Sequence, residues 1–117
     1  MPKNVMVVDD SAVSRMMLKA IINSAKPDWC VVEAESAEDA LQKSVATHVD
    51  FITLDVHMPG MDGLSVAPAL KEQCANAKIA ILSGKVQADV KARADELNLI
   101  FIPKPITEDK VIRFLEQ

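Results

Sequence analysis

The stretch Phe51-Ile52-Thr53-Leu54-Asp55-Val56-His57-Met58-Pro59-Gly60-Met61-Asp62-Gly63 decides the fold. An apolar run with a β-branched residue in it reads as a strand buried in a core. It stops at a carboxylate, Asp55, and Pro59, Gly60 and Gly63 then turn the backbone. Asp55 therefore marks where a core strand meets the surface. In open parallel α/β sheets, ligands bind there, just outside the carboxyl ends of the strands. A carboxylate so placed is a nucleophile, a metal ligand or a turn residue. What the chain brings to the same edge decides which.

Upstream, Val5-Met6-Val7-Val8 is an unbroken apolar run ended by Asp9-Asp10, as expected of a strand buried on both faces. Ser11 can cap a helix. Val13, Met16, Met17, Ala20 and Ile21 recur at helical spacing and predict a stripe facing the sheet. Pro27 limits that helix. Cys30–Ala34 reads as a short second strand. Ser36 opens another helix, with Asp39 three positions on as in a capping box, and Ala37, Ala40, Leu41 and Ser44 form its inner face.

Downstream, Leu64, Ala67 and Leu70 mark a third helix, in which Pro68 predicts a mild kink or irregular start. Lys78-Ile79-Ala80-Ile81-Leu82 is a fourth strand, ended by Ser83-Gly84. Val90, Ala94 and Leu97 give a fourth helix. Leu99-Ile100-Phe101-Ile102 is the fifth strand, closed by Pro103-Lys104-Pro105, and Thr107 caps a last helix containing Val111, Ile112 and Leu115. Trp29 reads as a packing residue and His48 as a loop residue.

Strands alternate with helices throughout, which predicts an α/β fold: a doubly wound, five-stranded parallel sheet with helices on both faces and right-handed crossovers. The flavodoxin-like (βα)5 order 2-1-3-4-5 follows from that class. It would bring Asp9, Asp10, Asp55, Ser83 and Lys104 to one edge.

The 117 residues suit one domain, 1–117, and half of them are hydrophobic, which argues against disorder. A formal net charge of -4 disfavours a nucleic-acid footprint, and a single Trp, three Phe and no Tyr disfavour a base-stacking surface. No apolar run approaches the roughly 20 residues of a membrane span. Met1-Pro2-Lys3-Asn4 has no signal-peptide architecture. Cys30 and Cys74 form no CxxC pair and read as free thiols in a reducing cytoplasm. Direct nucleic-acid or membrane partners are therefore not expected.

Three carboxylates converging without neutralisation would repel one another and raise at least one pKa. A Mg²⁺ ion relieves this, because it takes oxygen ligands and keeps several waters. Asp9, Asp10 and Asp55 suit such a site, with the backbone carbonyl of His57 as a further ligand. Lys104, held between two prolines, carries a point charge suited to a phosphoryl oxygen. Ser83 adds a hydroxyl donor. Asp55 would then attack phosphorus and become an acyl phosphate, with positioning and charge neutralisation supplying the catalysis. The plainer alternatives are turn acids at Asp9 and Asp10 and a solvated lysine at 104.

Val7-Val8-Asp9-Asp10-Ser11, Leu54-Asp55-Val56-His57-Met58-Pro59-Gly60-Met61-Asp62-Gly63, Leu82-Ser83-Gly84 and Ile102-Pro103-Lys104-Pro105 resemble, in order, the signature of response-regulator receiver domains of two-component signalling, including those of the chemotaxis-regulator type. The resemblance covers essentially the whole chain. It implies a phosphorelay switch in which Asp55 accepts a phosphoryl group from a histidine kinase or a histidine phosphotransfer protein. Asp9 and Asp10 would hold Mg²⁺, Asp10 the more directly, while Ser83 and Lys104 bind the phosphoryl group. The Lys104-Pro105 bond would be cis, and Phe101 would be the switch aromatic. The output face would be helix four, strand five and helix five, where Val86, Val111 and Phe114 could meet a partner, although Val111 fits a core position better. Such a domain is not a turnover enzyme; it catalyses only its own phosphorylation and dephosphorylation.

Gly84 stands where the family usually has a small alanine, and His57 and Lys85 fall where the family tunes the lifetime of the phosphoryl group. No output domain follows in this sequence, so the expected partner is a downstream protein target or an output domain missing here. A haloacid-dehalogenase-type phosphatase also uses an aspartyl phosphate, Mg²⁺ and a lysine, but it needs a second acid where this chain has His57. A degenerate receiver, acting only as an interaction module, is disfavoured by the intact acid set.

Overall fold

The computed structural model describes residues 2–56, 63–84 and 88–117, the side chains of Ala88 and Asp89 excepted. The elements alternate along the chain as β1 Asn4–Val8, α1 Ala12–Ala25, β2 Cys30–Ala34, α2 Ala37–Ala46, β3 Phe51–Asp55, α3 Gly63–Gln73, β4 Lys78–Ser83, α4 Ala88–Glu96, β5 Ile100–Pro103 and α5 Glu108–Leu115. All strand pairings are parallel, and the sheet order is β2-β1-β3-β4-β5. The doubly wound fold and its strand order are as expected.

Alternation along each strand divides the core into two layers. Val5 and Val7 of β1, Phe51 of β3, Leu82 of β4 and Ile102 of β5 meet Leu18 and Ile22 of α1 and Phe114 of α5. Met6, Val8, Ile52, Leu54 and Ile81 point the other way, onto Ala40 of α2, Val66 and Leu70 of α3 and Ala94 of α4. Each large side chain buried this way contributes about 1.5–3 kcal/mol. Trp29 is a packing residue: its ring stacks on Phe51 at 5.5 Å, and Phe51 meets Phe114 edge-on at 5.3 Å.

Local chemistry sets the helix starts. The side chains of Ser11, Ser36 and Thr107 accept hydrogen bonds from the N–H groups of Ser14, Asp39 and Lys110, so all three expected caps form. The Asp39 carboxylate accepts the Glu35 N–H at 3.2 Å and pairs with Lys43 at 3.1 Å. Pro68 lies inside α3 on its exposed side, where it does not end the helix.

Two expectations need correction. The stripe Val13, Met16, Met17 and Ala20 does not face the sheet: Val13 and Met16 are about 60% exposed, at 61% and 62%. The sheet takes the neighbouring stripe, Leu18 and Ile22 fully and Ser14, Arg15, Ile21 and Ala25 in part. Leu18 and Ile22, an apolar i,i+4 pair, are the side chains that the sheet buries, and Arg15 on the same side bonds the Asp9 carbonyl and Glu33. Phe114, like Val111, is buried in the core and offers no partner surface. Val86 lies outside the described residues.

Candidate functional site

The parallel sheet delivers the carboxyl ends of β1, β3, β4 and β5 to one edge. Asp9 follows β1, and its N–H donates to the Ala34 carbonyl of β2 at 3.0 Å. Asp55 is the last residue of β3 and is buried. Ser83, also buried, ends β4, and its carbonyl accepts the Lys104 N–H at 2.8 Å. That bond carries β4 across to the segment after β5, so the lysine side chain turns back over the edge. The Lys104–Pro105 peptide bond is cis, as expected.

Four of the expected side chains converge. Asp9, Asp10 and Asp55 each present a carboxylate oxygen, and these oxygens lie within 4.8 Å of one another. Lys104 Nζ donates to Asp55 Oδ1 at 3.2 Å. Ser83 sits beside Asp55 in the sheet, one residue beyond Leu82, the register partner of Asp55. His57, Lys85 and Asp62 lie outside the described residues, so the expected His57 carbonyl is not described at the site.

Asp9 is the unusual member of the cluster. Its Oδ1 accepts the Ser11 N–H at 2.9 Å, while its buried Oδ2 has no hydrogen-bond partner among the described residues. Burial pushes the Asp9 carboxyl above its ordinary value. The Ser11 N–H opposes the rise, the Asp55 charge adds to it, Lys104 opposes it and Asp10 adds again. A buried carboxylate oxygen without a donor is costly to keep unless a cation meets it. The three acids are hard oxygen donors in a tight group, which suits a hard divalent cation.

Two further residues shape the site and were not assigned a role in it from the sequence. Gly63 approaches the Asp55 backbone so closely that a Cβ there would lie 2.4 Å from the Asp55 carbonyl oxygen. Its N–H donates to Val56 O at 3.0 Å, which fixes the exit of β3. From sequence Gly63 reads only as a turn residue, because close approach leaves no mark in spacing. Arg15 reaches the Asp9 carbonyl with Nη1 at 2.6 Å. By contrast, a Cβ on Gly84 would meet Lys104 Cδ at 3.8 Å, an ordinary contact, so the usual alanine fits there. Phe101 is half-buried on β5, packed against the core layer under α4.

No helix among the described residues is long and apolar enough to cross a membrane. The family model of the response regulator receiver domain matches residues 5–116. The chemotaxis protein CheY of Thermotoga maritima is 34% identical over 122 residues, covering 100% of this chain and 98% of that protein. Protein-glutamate methylesterase/protein-glutamine glutaminase 5 of Myxococcus xanthus is 40% identical over 82 residues. That match covers 70% of this chain but 24% of the enzyme, so it reaches about a quarter of the enzyme's length. Among solved structures, a chain of the CheX-CheY-BeF3-Mg²⁺ complex from Borrelia burgdorferi is similar at a TM-score of 0.87 and 28% identity, over 98% of this chain and 87% of that one. Fold, converging acids and these likenesses agree, and with the family match running almost end to end the chain belongs to the response regulator receiver domains, in their CheY-like form.

Proposed function

We propose that Asp55 is the phosphoacceptor of a two-component switch and that Asp9, Asp10 and Asp55 hold one Mg²⁺ beside it. The observation that carries this reading is the Lys104 ammonium 3.2 Å from Asp55 Oδ1, next to a second buried acid with an orphaned oxygen. A carboxylate oxygen of Asp55 attacks phosphorus, a P–O bond forms, and the bond from phosphorus to the donor's imidazole nitrogen breaks. The imidazole leaves as a neutral or protonated base. Lys104 turns from the carboxylate to an oxygen of the arriving group, and the Ser83 hydroxyl donates to another. Gly63 keeps the Asp55 backbone seated while its side chain is modified. When bound, the Mg²⁺ neutralises the acids and the phosphoryl oxygens. The carbonyl of His57 is proposed as a further oxygen ligand.

The donor is a histidine kinase or a histidine phosphotransfer protein, and the domain, residues 1–117, works in the cytoplasm as a switch that is not a turnover enzyme. The acyl phosphate carries about 1.5–2 negative charges where the carboxylate carried one, so phosphorylation adds up to about one charge and three acceptor oxygens at a buried position. Ser83 at the end of β4 and Phe101 on β5 adjoin that charge through the sheet, so they and α4 form the two-state element. A downstream protein, or an output domain joined to this one, reads that face.

Incubation with acetyl phosphate and Mg²⁺, followed by intact-mass measurement, tests the proposal. The expected result is a mass gain of one phosphoryl group that chelation prevents and Asp55→Asn abolishes. Continuous release of phosphate without an adduct would point to a phosphatase instead, and no adduct at all to a degenerate interaction module. Either outcome overturns the switch.

A further inference from the structure

Arg15 sits in α1, four residues beyond the Ser11 cap, on the side of the helix that turns toward the sheet. Its guanidinium makes two bonds with different nitrogens. Nη1 donates to the backbone carbonyl of Asp9 at 2.6 Å, and Nε donates to Glu33 Oε1 on β2 at 3.1 Å. The side chain is only 15% exposed. Glu33 is itself braced: Lys43 Nζ donates to its carbonyl at 2.5 Å, and Lys19 stands 3.8 Å from its second oxygen. The guanidinium therefore spans from the edge strand to the turn that carries both leading acids.

The groups of Asp9 show what this span does. The N–H is held by Ala34, the carbonyl by Arg15 and Oδ1 by the Ser11 N–H. Only Oδ2 remains, buried and without a partner among the described residues. The pairings of β1 with β2 and with β3 both stop at Val8, so beyond the bond from the Asp9 N–H to Ala34 no strand pairing among the described residues holds the Asp9–Asp10 peptide. Arg15 is the donor that does. The plane of that peptide sets the direction from which Asp10 approaches Asp9 and Asp55.

We propose that Arg15, anchored by Glu33, is a positioning residue for the divalent-cation site, fixing the Asp9–Asp10 peptide so that both carboxylates face Asp55. The inference rests on the cation reading of the acid cluster. It depends on the planar fork of arginine. A lysine keeps the charge but has a single terminal nitrogen, which cannot meet the Asp9 carbonyl and Glu33 from the two positions that Nη1 and Nε occupy. Partners that orient metal ligands typically change affinity by about 10–100-fold when removed.

The test compares the native chain with Arg15→Lys, Arg15→Met and Glu33→Gln. Mg²⁺ affinity is measured by titration calorimetry, and the Mg²⁺ dependence of acetyl-phosphate loading at Asp55 is measured in parallel. Both Arg15 variants are expected to bind Mg²⁺ on the order of tenfold more weakly. Their loading should return to the native extent at saturating Mg²⁺. Glu33→Gln, which keeps an acceptor oxygen, should show a smaller loss of the same kind. A merely structural role would lower the melting temperature and leave the half-saturating Mg²⁺ concentration unmoved. Unchanged affinity in a folded Arg15→Lys chain, or full rescue by lysine where methionine fails, overturns the inference. A native chain that binds no Mg²⁺ removes the cation reading itself and this inference with it, whereas native binding with unmoved variants removes only the role of Arg15.

Discussion

Asp50 and Asp9 stand at opposite ends of neighbouring strands, one just before β3 and one just after β1. At the amino edge every polar group of Asp50 is engaged. Its N–H donates to Asn4 O and its carbonyl accepts the Lys78 N–H; Oδ2 accepts the Asn4 N–H at 2.9 Å and Oδ1 meets His48 Nε2 at 3.1 Å. Asn4 closes the ring by donating its amide to the His48 carbonyl at 2.6 Å. At the carboxyl edge three groups of Asp9 are equally well held and the fourth, Oδ2, is left over in a buried place beside two more acids. The same residue type therefore does opposite work. At one end it ties the entry of two strands together. At the other it leaves one buried oxygen without a partner among the described residues, as the proposed cation site requires.

The sharpest test of that contrast is at Gly63. A methyl group there would collide with the Asp55 backbone, which has no freedom to yield inside the sheet. Gly63→Ala is expected to cost about 1–3 kcal/mol in urea unfolding and to weaken phosphoryl loading with it. An unaltered urea midpoint would mean that the carboxyl edge is looser than the close approach implies.

Next in size are two substitutions of opposite sign. Asp50→Ala leaves the Asn4 N–H without its acceptor and should destabilise the chain by about 1–2 kcal/mol. Asp9→Asn keeps the acceptor for Ser11 and replaces the orphaned oxygen with a donor facing two carboxylates. In chelator it should stabilise the chain by about 1 kcal/mol, and the rise in melting temperature with Mg²⁺ expected of the native protein should be absent. Destabilisation by both substitutions would erase the difference between the two edges.

The pH dependence follows from the raised pKa of Asp9. The folded chain holds the Asp9 proton more tightly than the unfolded chain, so the penalty for the buried charge is full above the raised pKa. It fades as pH falls through that value and is absent below the ordinary carboxylate range. The advantage of Asp9→Asn over the native chain, measured in chelator, should therefore shrink on acidification from neutral pH. A gap that widens would contradict burial as the cause.

The smallest effect is expected on α1. Met16→Ser, on the exposed stripe, should shift stability by no more than about 0.5 kcal/mol. A loss of several kcal/mol would contradict the exposure of that stripe.

Much of this molecule was legible in the chain because the deciding signals are local. Runs such as Val5–Val8 and Phe51–Leu54 end abruptly in carboxylates, and Ser11, Ser36 and Thr107 cap helices through their own side chains. The motif acids sit at strand ends, so a parallel sheet of order 2-1-3-4-5 suffices to bring them together with Lys104. The rest was not local. Which of two adjacent apolar stripes of α1 the sheet takes is settled by the layer that Leu18 and Ile22 join with Phe51 and Phe114, and Arg15 finds its acceptors on Asp9 and Glu33, 6 and 18 residues away. Phe114 is buried because Phe51, far along the chain, packs against it. That Gly63 must lack a side chain follows from the position of the Asp55 carbonyl, and spacing carries no trace of that distance. Residue order alone determined the elements, their sequence along the chain and the chemical identity of the edge, because each is written in neighbours. Only the tertiary structure decided which atoms at that edge find partners among the described residues and which does not, because hydrogen-bond partners come from wherever the fold brings them.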